Sequence, residues 1–432
     1  MSDANRQADI TNVAAWLDDL AARQTAIERI SALGTYAIEP LACYLNRGPQ
    51  LVSQARVLAV EMLGRLHDPR VANLLRDVLY THPLKQLSPA LAESEFRVKN
   101  AAVQALVEKQ HAASNRDIAW AIQSERLPAA VHAAGILKLT GLAPSLVDLL
   151  TDDVLAGWAE TALLALLPNS VSSLHDAIQT WLHSPTDTPR TRLALIRAFC
   201  CLAEAGATGT KELIGQGLMH ASPLVRSAAA LAARDTIHTQ VISALIHGAL
   251  SNAPTLGIAC QDRLQSLGMG LIEPALEALH ENRVTDVYGN VHHSDILARY
   301  ALVTRLLQLT RHDPVRLSQV VAVVSVDDLV MALQRWMTPS IASLQALMSY
   351  PDAHVRVAAA TAAERLNPAE SIRWLSNRLN DKDRHVRREA YVSLLHHIDI
   401  RRVQMSLKDI PLSAWGLSPF KCIHLLARSL HR

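Results

Sequence analysis

Aromatic side chains are scarce: three Phe, seven Tyr and seven Trp amount to 4% of 432 residues. That disfavours sandwiches and barrels, whose strands draw on aromatic and β-branched residues. Cysteine is equally thin. Cys43, Cys200, Cys201, Cys260 and Cys422 form no CxxC pair and no disulfide-dense spacing. An odd count with one vicinal pair reads as reduced thiols in a cytoplasmic protein and excludes a paired-thiolate zinc site. No apolar run reaches the roughly 18 residues that a membrane-spanning helix needs. The opening MSDANRQADI has no basic stretch followed by an apolar core, so no secretory signal is expected. Excess charge is missing too, because a net +2 describes neither a nucleic-acid sleeve nor an acidic tail. The charge is uneven, however. From Asp352 onward 14 basic residues face 8 acidic ones, whereas the preceding chain has 28 against 32.

What is present is alanine, leucine, valine and isoleucine at helical spacing. Half of all residues are apolar, and this palette suits closely packed helices. The phrase HVRVAAATAAERL from His354 nearly returns as HVRREAYVSLLHHI from His385. Related phrases are QARVLAVEML from Gln54, RVKNAAVQAL from Arg97, AAVHAAGILKL from Ala129 and LVRSAAALAA from Leu224. The arginine position of the phrase serves as a marker, occupied by Arg56, Lys99, His132, Arg226, Arg356 and Arg387. Weaker matches fall at Ala156, Arg192, Gly257 and Arg299, with one degenerate unit between 327 and 348. Eleven units from 56 to 387 have a mean period of about 33, the range of helical-pair solenoids. Second helices such as AIEPLACYL, RVANLLRDVL and LIEPALEAL alternate with the marker helices, and turn signals such as HDPR and YPD separate them. One such pair cannot bury its apolar face alone, so neighbours must stack.

These phrases resemble HEAT repeats, particularly the bacterial HEAT-like type first described in phycobilin lyases. Asp352 to Ala359, in the pattern D-x-x-V-R-x-A-A, carries that family's most diagnostic motif. The resemblance covers most of residues 26 to 400. It implies an all-α, right-handed α-α superhelix of about eleven helix pairs, with the marker helices lining a concave surface. It also implies that the turn aspartates Asp352 and Asp383 cap these helices and pair with Arg356 and Arg387. The expected organisation is a single array: an N-terminal cap at 1–25, repeats at 26–399 and a C-terminal cap at 400–432. Insertions interrupt it near 80–95 and 281–295.

Catalytic motifs are thin. GATGTKEL at Gly206 has the wrong spacing for a phosphate loop. Deoxyhypusine hydroxylase is similar in repeat pattern, yet its iron site needs several His-Glu pairs and only His280-Glu281 is present. HEAT-like DNA glycosylases stack aromatics on a basic concave face, whereas the seven tryptophans here are scattered singly at positions suited to packing. No cofactor or metal is expected.

The chemically richest stretch is the insertion VTDVYGNVHHSD, Val284 to Asp295. Gly289-Asn290 suits a two-residue hairpin turn, and Ser294 or Asp295 is placed to cap the helix that follows. On a strand, His292 and His293 would point to opposite faces and share no metal, leaving Asp286 with His292 as the pairing that converges across the hairpin. The expected function is a non-catalytic scaffold or adaptor that binds a partner protein through the concave face. Tyr288, His292 and His293 of the insertion and Arg384, Arg388, Arg401 and Arg402 of the basic end are the candidate contacts. The alternatives are an enzyme of the lyase or glycosylase kind and a nucleic-acid-binding module using the basic C-terminal repeats.

Overall fold

The computed structural model describes residues 3–108, 114–206, 210–234 and 238–397. Arg401, Arg402 and the expected cap at 400–432 lie outside the described residues. The described residues form helices and one two-stranded sheet, and contacts divide the chain into compact units, Met1–Leu213 and Ile214–Arg432.

In the first unit, the helices carrying the marker residues are Gln54–Arg65, Pro89–Glu108, Pro128–Ile136, Ala156–Ala165 and Pro189–Ala205, each packed on the next. A second layer, Pro69–Tyr80, Asn115–Gln123, Ala143–Asp148 and Val171–Leu182, lies against them. In the second unit the marker helices are Pro223–Ala232, Pro254–Gln265, Ile296–Thr310, Val326–Arg335, Ala353–Ala362 and Arg384–His397, again in succession. Beside them lie Thr239–Leu250, Ile272–Glu281, Pro314–Val323, Ile341–Met348 and Pro368–Arg378. A marker helix is therefore present for each of the eleven expected units, and nine of them are named above with their second helix. The degenerate one consists of Val326–Arg335 and Ile341–Met348.

Local chemistry explains where these helices start. Eight of them begin on proline, whose missing N–H costs nothing in the first turn. A side chain just before often takes over the free N–H groups: Asp68 accepts from the Arg70 N–H at 2.9 Å, and Asp313 from those of Val315 and Arg316 at 3.1 Å. From Pro89 the segment expected as an insertion at 80–95 is already helix, and Glu95 is wholly buried.

Small residues set the stacking distance. Ala102, Ala228, Ala229 and Ala359 are fully buried on the marker helices. At Gly248 a Cβ would lie 2.6 Å from Cys260 Sγ and 2.8 Å from Ser227 Cβ, so three helices meet where only glycine fits. Of the described tryptophans, Trp336 and Trp374 are core residues, whereas Trp158 is 46% exposed and departs from the packing expectation.

The marker cations do not behave as the resemblance implied. Asp352 does cap its helix, through the His354 N–H at 2.7 Å. Arg356, however, ignores Asp352 and reaches Asp381 of the next repeat at 3.3 Å, while its Nη1 donates to the Tyr350 and Pro351 carbonyls. Arg387 likewise donates to the Asp381 and Lys382 carbonyls rather than to Asp383, and Arg226 to those of His220 and Ala221. The cap carboxylate is already engaged by helix N–H groups, so the guanidinium folds back over its own turn and forward onto the next one.

The forward pairing recurs along both units. Arg56 pairs with Glu95, Lys99 lies 3.4 Å from Glu125, and Arg299 pairs with Asp328. Lys99 is fully buried, donates to the Leu79 carbonyl at 2.9 Å and lies 5.4 Å from the Trp120 ring centre. Burial lowers its pKa, and the carboxylates of Glu125 and Glu95 oppose that shift.

A buried charge that loses its partner is costly, typically by about 3–5 kcal/mol. Glu95→Ala should therefore destabilise the first unit by about that much in urea unfolding. The double variant Arg56→Met/Glu95→Leu, which removes both charges, should recover most of the loss. Equal stability of Glu95→Ala and the native chain would show that the pair is not a structural tie.

Candidate functional site

The insertion folds as a hairpin in the second unit. Strand β1 (Arg283–Thr285) pairs antiparallel with β2 (Val291–His293), with Arg283 opposite His293, Val284 opposite His292 and Thr285 opposite Val291. The expected two-residue Gly-Asn turn is wrong. The loop is Val287–Gly289: the Gly289 N–H donates to the Asp286 carbonyl at 3.1 Å and the Asp286 N–H to the Asn290 carbonyl at 2.9 Å. This is a type I turn closed by a left-handed residue, and Gly289 supplies the positive φ, +92°. Asp286 organises the turn. Its Oδ1 accepts from the Tyr288 N–H at 2.9 Å and the Asn290 N–H at 2.8 Å, and its Oδ2 from the Asn290 side chain at 3.1 Å. The carboxylate therefore needs a three-residue loop to fill, which a Gly-Asn turn does not offer.

Asp286 Oδ2 also lies 3.0 Å from His292 Nε2, so those two side chains converge as the hairpin pairing suggested. Slight desolvation works to raise the Asp286 pKa, but the bonds from His292, Asn290 and Tyr288 outweigh it and bring it down to about 2. His293 alternates to the opposite face. Among the described residues no group of three or more His, Cys, Asp or Glu side chains is arranged to hold a metal ion.

The base of the hairpin is held by contacts that sequence reasoning did not anticipate. His247, on Thr239–Leu250, places Nε2 3.3 Å from the Thr285 carbonyl oxygen and 3.4 Å from its nitrogen. Ser294 donates to the Asn282 side chain at 2.6 Å, and the Asp295 N–H donates to the Leu250 carbonyl at 2.9 Å. Asp295, not Ser294, caps the next helix, accepting from the Ala298 N–H at 2.8 Å. Val284 and Val287 are buried, whereas Tyr288 is 66% and Val291 61% exposed. The apolar exposure continues at Ile296 and Leu297.

The remaining candidate contacts lie elsewhere. Arg384 and Arg388 are exposed on Arg384–His397, one turn apart and so on one face. An open groove of about 890 Å³ lies between Ile272–Glu281 and Pro314–Val323, lined by Glu273, Pro274, Glu277, His280, Gln319 and Val323. Glu160 is held above the usual carboxylate range by burial, against the pull of Arg197. It sits two residues from Trp158, whose ring lies edge-on to His132 at 5.9 Å. Residues two apart on a helix diverge, so the three do not converge on one point. Burial also pushes the Cys200 thiol up to about 12, which leaves it a poor nucleophile.

Burial lowers the His247 pKa; the Thr285 bond opposes this, Arg226 adds to it and Glu281 opposes it. A released His247 therefore binds its proton more readily than a docked one, so docking weakens as pH falls through about 6.5 and below. Corrected for intrinsic exchange, the Thr285 amide should exchange faster at pH 5 than at pH 7.5. His247→Phe should abolish that step, and a step of undiminished size in that variant would assign it elsewhere.

The sequence profile of HEAT repeats matches residues 329–402. No curated protein matches the chain. Among solved structures, one of Kap95p with RanGDP, concerned with nuclear import complex assembly, is 14% identical with a TM-score of 0.42. That match takes in 94% of this chain, which spans 59% of the other. A crystal structure of an engineered protein is 16% identical over 90% of this chain and 98% of its own, with a TM-score of 0.23. No described helix is long and apolar enough to cross a membrane. The profile match falls on the last two helix pairs described and the helix Arg384–His397 after them, and the same marker-helix phrase and pairwise stacking run back to Gln54. Residues 329–402 thus match HEAT repeats, within a chain whose described helices are stacked pair on pair.

Proposed function

We propose that this chain is a non-catalytic scaffold that grips a partner protein, with the hairpin as its recognition element. The supporting observation is the contrast within the insertion. Its base is fastened through His247, Ser294 and Asp295, its turn is filled by Asp286, and yet it presents Tyr288 and Val291 to solvent. Long insertions in compact arrays are usually functional or mobile, and one held this firmly answers to the first description. Exposed aromatic and aliphatic side chains on a rigid support are what protein interfaces use as anchors.

The open form of the groove between Ile272–Glu281 and Pro314–Val323 suits an interaction surface better than a reaction chamber, which needs water excluded. Arg384 and Arg388 supply a second, cationic contact for an acidic stretch of the partner. Phosphate of a nucleic acid is the competing ligand for these two arginines, and it would show as a salt dependence that falls when both are reversed to glutamate.

Capture from the native host with crosslinking, followed by mass spectrometry, tests the proposal. The native chain should enrich one or more proteins at least tenfold over Tyr288→Ala/Val291→Ser. The variant should unfold at the same urea concentration, since both side chains are exposed. Recovery of the bait alone after crosslinking would count against a scaffold role.

A further inference from the structure

We infer that β2 is an open docking edge that accepts an extended segment of the partner protein as a third strand, and that the backbone of Val291 and His293 makes the pairing. The inference deepens the scaffold reading and rests on it.

It follows from hydrogen-bond parity. In an antiparallel pair, residues that bond across the ladder alternate with residues whose N–H and C=O point outward. The bond from Asp286 to Asn290 makes that pair a bonded one. Counting back along the register, Thr285 and Val291 point outward, Val284 and His292 bond to each other, and Arg283 and His293 point outward again. The position of His247 supports the count independently. Its Nε2 meets both the N–H and the C=O of Thr285, which is the outward direction for β1. The outer edge of β1 is thereby occupied by the half-buried His247 side chain.

The outer edge of β2 has no such cover. All three of its residues are exposed, and among the described residues no partner is recorded for the main-chain groups of Val291 or His293. The devices that usually blunt an edge are lacking as well. VHH contains no proline, no lysine and no bulge. Strand addition is the recognition mode that such an edge supports, with main-chain bonds for affinity and alternate side chains for specificity.

The side chains narrow the chemistry of the added strand. Val291 and His293 share a face with Arg283 and Thr285. Arg283 is exposed and stands directly opposite His293. An incoming residue beside His293 lies on the face that carries the Arg283 guanidinium one strand further in and is best acidic, while its neighbour two residues away meets Val291 and is best β-branched. The predicted ligand is an extended segment of the pattern acidic–x–apolar. With only two outward residues the strand is short, so the contact is modest alone and relies on the rest of the scaffold surface.

The probe is an acetylated, amidated heptapeptide that alternates valine with threonine and carries one aspartate two residues from a valine. Titrated into the full chain, it should raise the exchange protection of the Val291 and His293 amides at least tenfold. The His292 amide, already bonded within the ladder, should not change. Val291→Pro removes one outward donor and should weaken binding at least tenfold without altering the unfolding midpoint. N-methylation of the peptide at alternate amides should abolish binding in one phase and spare it in the other.

Binding that is indifferent to Val291→Pro and to the N-methyl phase would overturn the inference, as would no protection at millimolar peptide. Concentration-dependent dimerisation abolished by Val291→Pro would do so too, because the edge would then belong to a second copy. Capture of a partner that survives Val291→Pro would remove the edge as its contact and leave the scaffold role standing. Loss of capture in the native chain would instead bear on the scaffold role itself.

Discussion

A cation buried or half-buried in one helix pair and paired with a carboxylate of the next is the constraint on which this architecture turns. Apolar burial alone would let neighbouring pairs slide, since alanine and leucine faces offer little register. Arg56 with Glu95, Lys99 with Glu125, Arg299 with Asp328 and Arg356 with Asp381 each require one particular placement. A pair that slips leaves a charge desolvated and unpaired, an outcome costlier than the apolar contact regained. The ion pairs thus set position, while the close contacts at residues such as Gly248 set distance.

The stacking of helix pairs was legible in the sequence because it depends on local features. The small residues after each marker position, the prolines at helix starts and the period near 33 all lie within one unit, and the weak unit at 327–348 was found by counting alone. The partners of the marker cations were not legible. Spacing points from Arg356 to Asp352, four residues back, yet the carboxylate it reaches is 25 residues ahead. That choice depends on which lone pairs the helix start has already taken. His247 is a similar case, since it acts 38 residues from where it sits. The turn of the hairpin was misassigned for a nearer reason. An Asp at the first position and a Gly at the fourth is the pattern of a type I turn, and Asp286 to Gly289 displays it openly.

Placing the hairpin in the fold changes how its polar residues are read. Two adjacent histidines and two aspartates resemble the start of a metal site, but three of the four have a structural assignment. Asp286 fills the turn with help from His292, and Asp295 caps a helix. What remains unassigned is the exposed part, namely Tyr288, Val291, His293 and the main chain between them. Polar chemistry here builds the support, and apolar and main-chain groups are left to meet a partner.

The forward direction of the ion pairs has a further consequence for how such a chain is made and remade. A ribosome delivers Arg56 before Glu95 and Lys99 before Glu125. Each helix pair that carries such a cation therefore waits for its successor before its own interior is neutral. Assembly acquires a polarity, running from the amino end and always one repeat behind synthesis. The same polarity limits how the array lengthens or shortens in evolution. A unit duplicated or lost must bring an acid for the cation behind it and a cation for the acid ahead, so recombination is tolerated only between units that share this grammar.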